Sequence, residues 1–72
     1  MKYYPITRHR DYIDAEYVQR EVDRGAKPYD SYKDADAALD WMDTDDSDYG
    51  VFAHNGVCWC YVREDNGNLK PL

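Results

Sequence analysis

Asn55 and Gly56 stand between two runs of apolar, aromatic and β-branched residues, 49–53 and 57–62. A two-residue Asn-Gly connection suits a type I′ turn, because both of its central positions need positive φ. The spacing therefore predicts a β-hairpin, and with it a register: His54 opposite Val57, Ala53 opposite Cys58, Phe52 opposite Trp59, Val51 opposite Cys60 and Tyr49 opposite Val62. Alternation along the strands then puts Tyr49, Val51, Ala53, Cys58, Cys60 and Val62 on one face and Phe52, His54, Val57, Trp59 and Tyr61 on the other. A lone hairpin is marginal in water, so other elements must cover it. The small side chains around Val51 and Cys60 invite a helix on their face, which leaves Phe52, Trp59 and Tyr61 as a second core layer or a partner surface.

Those covering elements must come from a chain of 72 residues. That length makes a single domain, 1–72, which buries only about 60% of its unfolded surface. With 43% hydrophobic residues, including eight Tyr and two Trp, it is too apolar to stay disordered despite 33% charged residues. Residues 2–7 read as a short strand, and Pro5 within it, lacking an N–H, points to a sheet edge or a strand end. Residues 14–25 read as a helix capped by Asp14, stapled by Ile13 and Val18, supported by a Glu16 and Arg20 pair and ended by Gly25. A strand alternating Ile13, Ala15 and Tyr17 is the rival reading there. Ser31 opens a second helix whose Ala35, Ala38, Leu39 and Met42 share one face, with Trp41 on its flank beside Ala37. Asn66-Gly67-Asn68 makes a further turn before a short tail. The expected fold is α+β: an antiparallel sheet containing the C-terminal hairpin, packed by one or two helices in the order β-α-α-β-β, or β-β-α-β-β on the rival reading.

The net charge of −6 is unevenly spread. Residues 1–29 sum to +1 and residues 49–72 to zero, whereas residues 30–48 set one lysine against eight aspartates for −7. Free nucleic acid is repelled by such a stretch, and a basic protein surface is attracted to it. No segment has the length or apolarity of a signal peptide or a membrane span, which predicts a cytoplasmic location and no membrane partner. Cys58 and Cys60, one residue apart on one strand, are poorly placed for a disulfide and are expected as free thiols.

Motifs for catalysis or cofactor binding are missing. No nucleophile motif, glycine-rich phosphate loop or calcium loop occurs, so neither an enzyme nor a cofactor is expected. Cys58 and Cys60 with His9 and His54 have the right atoms for zinc, but the expected register turns His54 away from both thiols, and no metal site is assigned. The acidic stretch does break a local rule. Asp40 and Asp43 oppose the helix macrodipole at its C-terminal end, by about 0.3 to 1 kcal/mol each, and Asp36 repels both. Asp36, Asp40 and Asp43 recur on one helical face at about 5 to 6 Å, a separation near that of phosphates along a nucleic-acid strand. A solvated face that merely aids solubility would have the same composition.

The candidate partner-binding residues are therefore Asp36, Asp40, Asp43, Asp45, Asp46 and Asp48, with Trp59 and Tyr61 as apolar contacts. In size and acidity, with no shared motif, the chain resembles small phage-encoded inhibitors of host defence, among them anti-CRISPR and nuclease-inhibitor proteins. That resemblance implies a DNA mimic that blocks a basic nucleic-acid-binding protein or nucleoprotein complex, in the host cytoplasm. The alternative is a structural or regulatory interaction module using its Tyr- and Trp-rich surface, including Tyr3, Tyr4 and Phe52, for contacts that extend to its own copies.

Overall fold

The computed structural model describes residues 1–10, 12–42, 47–62 and 69–71. The chain runs β1 (Lys2–His9), α1 (Ala15–Asp23), α2 (Tyr32–Leu39), β2 (Ser47–His54), β3 (Trp59–Val62) and β4 (Leu69–Pro71). The β-α-α-β-β order holds, and the tail after the hairpin adds a short fourth strand. All neighbours in the sheet are antiparallel, in the spatial order β1-β2-β3-β4.

Residues 14–25 form the helix rather than the strand because both ends are satisfied locally. The Asp14 carboxylate accepts the Tyr17 N–H at 2.8 Å, which relieves one of the unpaired donors of the first turn. At the other end Gly25, with φ +104°, turns the chain. Its N–H then donates to the Val22 carbonyl and the Ala26 N–H to the Glu21 carbonyl, both at 3.0 Å, a Schellman termination. Ile13 and Val18 bury together as the staple requires. The expected Glu16 and Arg20 pair does not form; Arg24 instead pairs with Glu21 at 3.6 Å.

Ser31 caps α2 by accepting the Asp34 N–H at 3.1 Å. This helix stops earlier than its periodicity suggests. Beyond Leu39 the N–H groups of Asp40, Trp41 and Met42 bond to the carbonyls of Ala37, Ala38 and Leu39 at 3.1 to 3.2 Å, which is the tighter 3₁₀ pattern. Met42 therefore leaves the core face and is 38% exposed.

The hairpin register is also corrected. Val51 pairs with Val62, Phe52 with Tyr61, Ala53 with Cys60 and His54 with Trp59, so the connection is four residues, 55–58. Asn55 does not take positive φ; its side-chain oxygen accepts the N–H groups of Val57 at 2.8 Å and Cys58 at 2.9 Å. That Asx-type turn competes with the two-residue type I′ turn and wins. The slip from the expected pairing is two residues, so every strand residue keeps its expected face.

Alternation of β2 sends Val51 and Ala53 to one side and Phe52 to the other. Ala35 and Leu39 of α2 pack on Val51 and Ala53, with Tyr3, Tyr29 and Tyr32 at the margin. Val18 of α1 packs with Ile6, Ile13 and Phe52, under Tyr4, Tyr17, Trp59 and Tyr61. The sheet thus lies between two helices, and the Phe52 face is a core layer. β1 is an outer strand, as Pro5 requires. Tyr3 exchanges both backbone bonds with Tyr29, at 2.9 and 2.8 Å, so residues 3, 5 and 7 direct their backbone groups outward. Pro5 has no N–H to leave unpaired there, and the Thr7 carbonyl accepts the Tyr17 hydroxyl at 3.3 Å. These devices blunt an edge that could otherwise template another strand.

Candidate functional site

The sequence assigns the candidate surface to α2, the acidic residues after it and the aromatic face of the hairpin, and the fold separates these parts. Asp36 is half-buried in α2, with its Oδ1 atom enclosed and without a hydrogen-bond partner. Asp40, the C-cap of α2, is exposed. Asp48 is exposed on β2, directly across the ladder from Arg8. By strand alternation it belongs with Gly50 and Phe52 on the α1 side, away from Asp36 and Asp40. Asp43, Asp45 and Asp46 lie outside the described residues.

Trp59 and Tyr61 are committed to the fold. Trp59 is half-buried, with its ring 5.5 Å from that of Tyr4 and 4.7 Å from that of His54, and its indole N–H donates to the Gln19 side-chain oxygen of α1 at 3.0 Å. Tyr61 packs its ring against that of Phe52, with centroids 4.7 Å apart and planes tilted by 54°, lies over Gly50 and donates its hydroxyl to the Tyr49 carbonyl at 3.2 Å. On this face both pack against the cluster that Phe52 forms with Val18 of α1.

Cys58 and Cys60 are free, the first exposed and the second half-buried. Burial, and then the neighbouring Cys58, push the Cys60 thiol above its ordinary pKa, the opposite of an activated nucleophile. His54 shares its face with Trp59, opposite to that of Cys60, and its Nδ1 accepts the Gly56 N–H at 3.1 Å. Among the described residues no three His, Cys, Asp or Glu side chains gather as a metal would require.

A half-open cavity of about 220 Å³ lies between the outer edge of β1 and the end of α1, with Thr7, Tyr17, Glu21, Lys27 and Met42 on its walls. Tyr17 has its pKa raised by burial and then by hydrogen bonding to Glu21. Arg8 sits 4.5 Å over the Tyr17 ring and Lys27 5.0 Å from the Tyr29 ring centre, so both cations serve neighbouring aromatics.

The side chain that sequence reasoning missed is Trp41. It is 91% exposed, and its flank position beside Ala37 was legible as helical geometry without revealing how far the ring would stand in solvent. No helix among the described residues is long and apolar enough to cross a membrane. Comparison with protein-family models, with curated proteins and with solved structures gives no match.

Proposed function

We propose that this protein is a small acidic binding protein without catalytic activity, which places the end of α2 and the aspartates that follow on a basic protein surface. The surface is one that ordinarily holds nucleic acid, and the protein blocks it by presenting carboxylates where phosphates would sit. It would act as a steric inhibitor, in the manner of the phage-encoded anti-CRISPR and nuclease-inhibitor proteins that it resembles in size and acidity.

The observation that carries this reading is the segregation of charge. Residues 30–48 hold eight aspartates and one lysine, and the last turn of α2 has no basic residue to answer the macrodipole. Asp40 stands exposed at that end. The aromatic contact surface of the alternative reading is less favoured, because Phe52 is wholly buried and Trp59 and Tyr61 spend their polar tips internally.

Recovery of binding proteins from lysate at low salt, followed by affinity measurement on the purified partner, tests the proposal. Exposed charge pairs are screened over about 8 Å at physiological ionic strength, so affinity should fall steeply with added salt, and Asp40→Asn should slow association. Affinity indifferent both to salt and to Asp40→Asn would remove the mimicry.

A further inference from the structure

Trp41 is almost fully in water, and Met42 beside it is partly so. Trp41 stands two positions past the buried Leu39, so helical spacing turns its indole away from the core, and the 3₁₀ bonds from Asp40, Trp41 and Met42 back to Ala37, Ala38 and Leu39 end α2 there. The residues one turn back, Ala37 and Ala38, are too small to shield it. An exposed tryptophan is unusual in so small a domain, which needs its apolar surface for stability. The indole also stands in a particular electrostatic setting. Asp40, its neighbour in the chain, is exposed at the C-cap of α2, and Asp34 is exposed in the first turn of that helix.

We infer that Trp41 is the anchor of the binding surface, and that it recognises arginine on a basic protein. The inference rests on the proposed function and deepens it by naming the contact. An aromatic face attracts a cation, and the planar guanidinium stacks on indole while keeping N–H groups in its plane free for carboxylates. Arginine satisfies both parts of this surface at once. Lysine, a compact and strongly hydrated charge, satisfies the carboxylates and gains less from the ring. Tryptophan and arginine are also the residue types that dominate binding energy in interfaces.

Fluorescein-labelled deca-arginine and deca-lysine peptides serve as probes, with affinity read by fluorescence anisotropy at low salt for the wild-type chain, Trp41→Ala and Asp40→Asn. Wild-type protein should bind deca-arginine the tighter. Trp41→Ala should lose about fivefold in affinity for deca-arginine, as expected for a cation on an aromatic face, and change little toward deca-lysine. Asp40→Asn should weaken both peptides alike. Equal loss toward both peptides in Trp41→Ala, or none toward either, would overturn the arginine anchor while a salt-sensitive Asp40→Asn effect left the acidic surface standing. Absence of binding to both peptides would overturn both readings. A wild-type dimer in sedimentation that Trp41→Ala dissolves would replace the anchor with self-association.

Discussion

The two sides of the sheet solve the same packing problem with different materials. On the α1 side the core is built from large groups, with Ile6, Ile13, Val18 and Phe52 buried and the rings of Tyr4, Tyr17, Trp59 and Tyr61 packed around them together with Ala26. On the α2 side the buried set is Ala35, Leu39, Val51 and Ala53, with Tyr3, Tyr29 and Tyr32 only at its margin, and the helix backbone comes closer to the sheet than that of α1. Large rings hold a helix at a distance and seal the gap with their own area, whereas alanines allow close approach but leave little to bury. The α1 side therefore spends its aromatics on stability. The α2 side has only a narrow apolar stripe, and its remaining surface carries aspartates and one uncovered tryptophan. Binding capacity belongs where the fold has left groups unspent.

The comparison breaks first, and most visibly, at the centres of the two layers. Phe52→Ala should cost about 3 to 5 kcal/mol and Leu39→Ala about 2 to 5 kcal/mol, each a large part of the stability of a domain this size. Chemical denaturation should show Phe52→Ala as the more damaging, because its ring is the hub of the larger cluster. A greater loss from Leu39→Ala would mean that close backbone approach, rather than buried ring area, carries most of the stability.

A smaller effect is expected where the aromatic layer meets the backbone. A Cβ at Gly50 would stand 2.6 Å from Cε2 of Tyr61. The ring must move, and with it go the bond to the Tyr49 carbonyl and the tilted ring contact with Phe52. Tyr61 is only half-buried and can swing outward, so Gly50→Ala should cost about 1 to 3 kcal/mol. Pairing it with Tyr61→Ala gives the check: the cost of the added methyl should largely vanish in that background. If it persists, the strain lies in the backbone of β2 and the ring is a bystander.

Much of this architecture was legible in particular residues. Asp14, Gly25 and Ser31 mark helix ends by satisfying donors and acceptors within a few residues, so their effect does not depend on tertiary context. Pro5 marks the sheet edge for the same local reason. The faces of the hairpin were also correct, since a two-residue slip preserves alternation. The hairpin loop was not, because Asn55 has two competing ways to turn the chain and its side-chain bonds to Val57 and Cys58 decide between them. The candidate site was less legible still. Helical periodicity placed Asp36 and Asp40 on one helix, yet it could not show that Asp36 would be partly enclosed or that Asp48 would stand on the other side of the sheet. Trp59 and Tyr61 looked available only because the α1 residues on their face, Val18 and, for Trp59, Gln19, lie far away in sequence. Trp41 was hidden by the opposite error, since an aromatic on a helix flank suggests a covered one.

The α2 side should respond to charge with the opposite sign from its response to truncation. Asp40 caps the C-terminal end of α2, where its carboxylate opposes the macrodipole. Asp40→Asn should therefore raise stability by about 0.3 to 1 kcal/mol, while weakening any complex that depends on the acidic surface. Thermal melts at low and high salt give the test, and the gain should shrink as salt screens the charge. A destabilised variant would show that the carboxylate is holding a contact that the amide cannot.

The smallest effect concerns the clamp that joins the start of the acidic stretch to β1. Lys2 donates to Asp30 beside the Tyr3 and Tyr29 backbone bridge, and the bond and charge of Asp30 raise the Lys2 pKa just as those of Lys2 lower that of Asp30. A lowered carboxylate pKa gives stability that is present above the unfolded value and is lost as pH falls through the folded one. A raised ammonium pKa gives stability that is present below the unfolded value and is lost as pH rises through the folded one. The pair should therefore contribute a flat, small amount across the neutral range, disappearing in acid below the ordinary carboxylate range and in base above the ordinary lysine range. Both groups are well exposed, so solvent screening keeps the contribution slight. Melting temperatures of wild type and Lys2→Met against pH should differ a little near neutrality and converge in strong acid, where Asp30 is protonated. A difference that survives there would assign the role of Lys2 to its aliphatic stem. The 29–30 segment would then be held on β1 by the Tyr3 and Tyr29 bridge and packing, with charge on this side of the molecule left free for a partner.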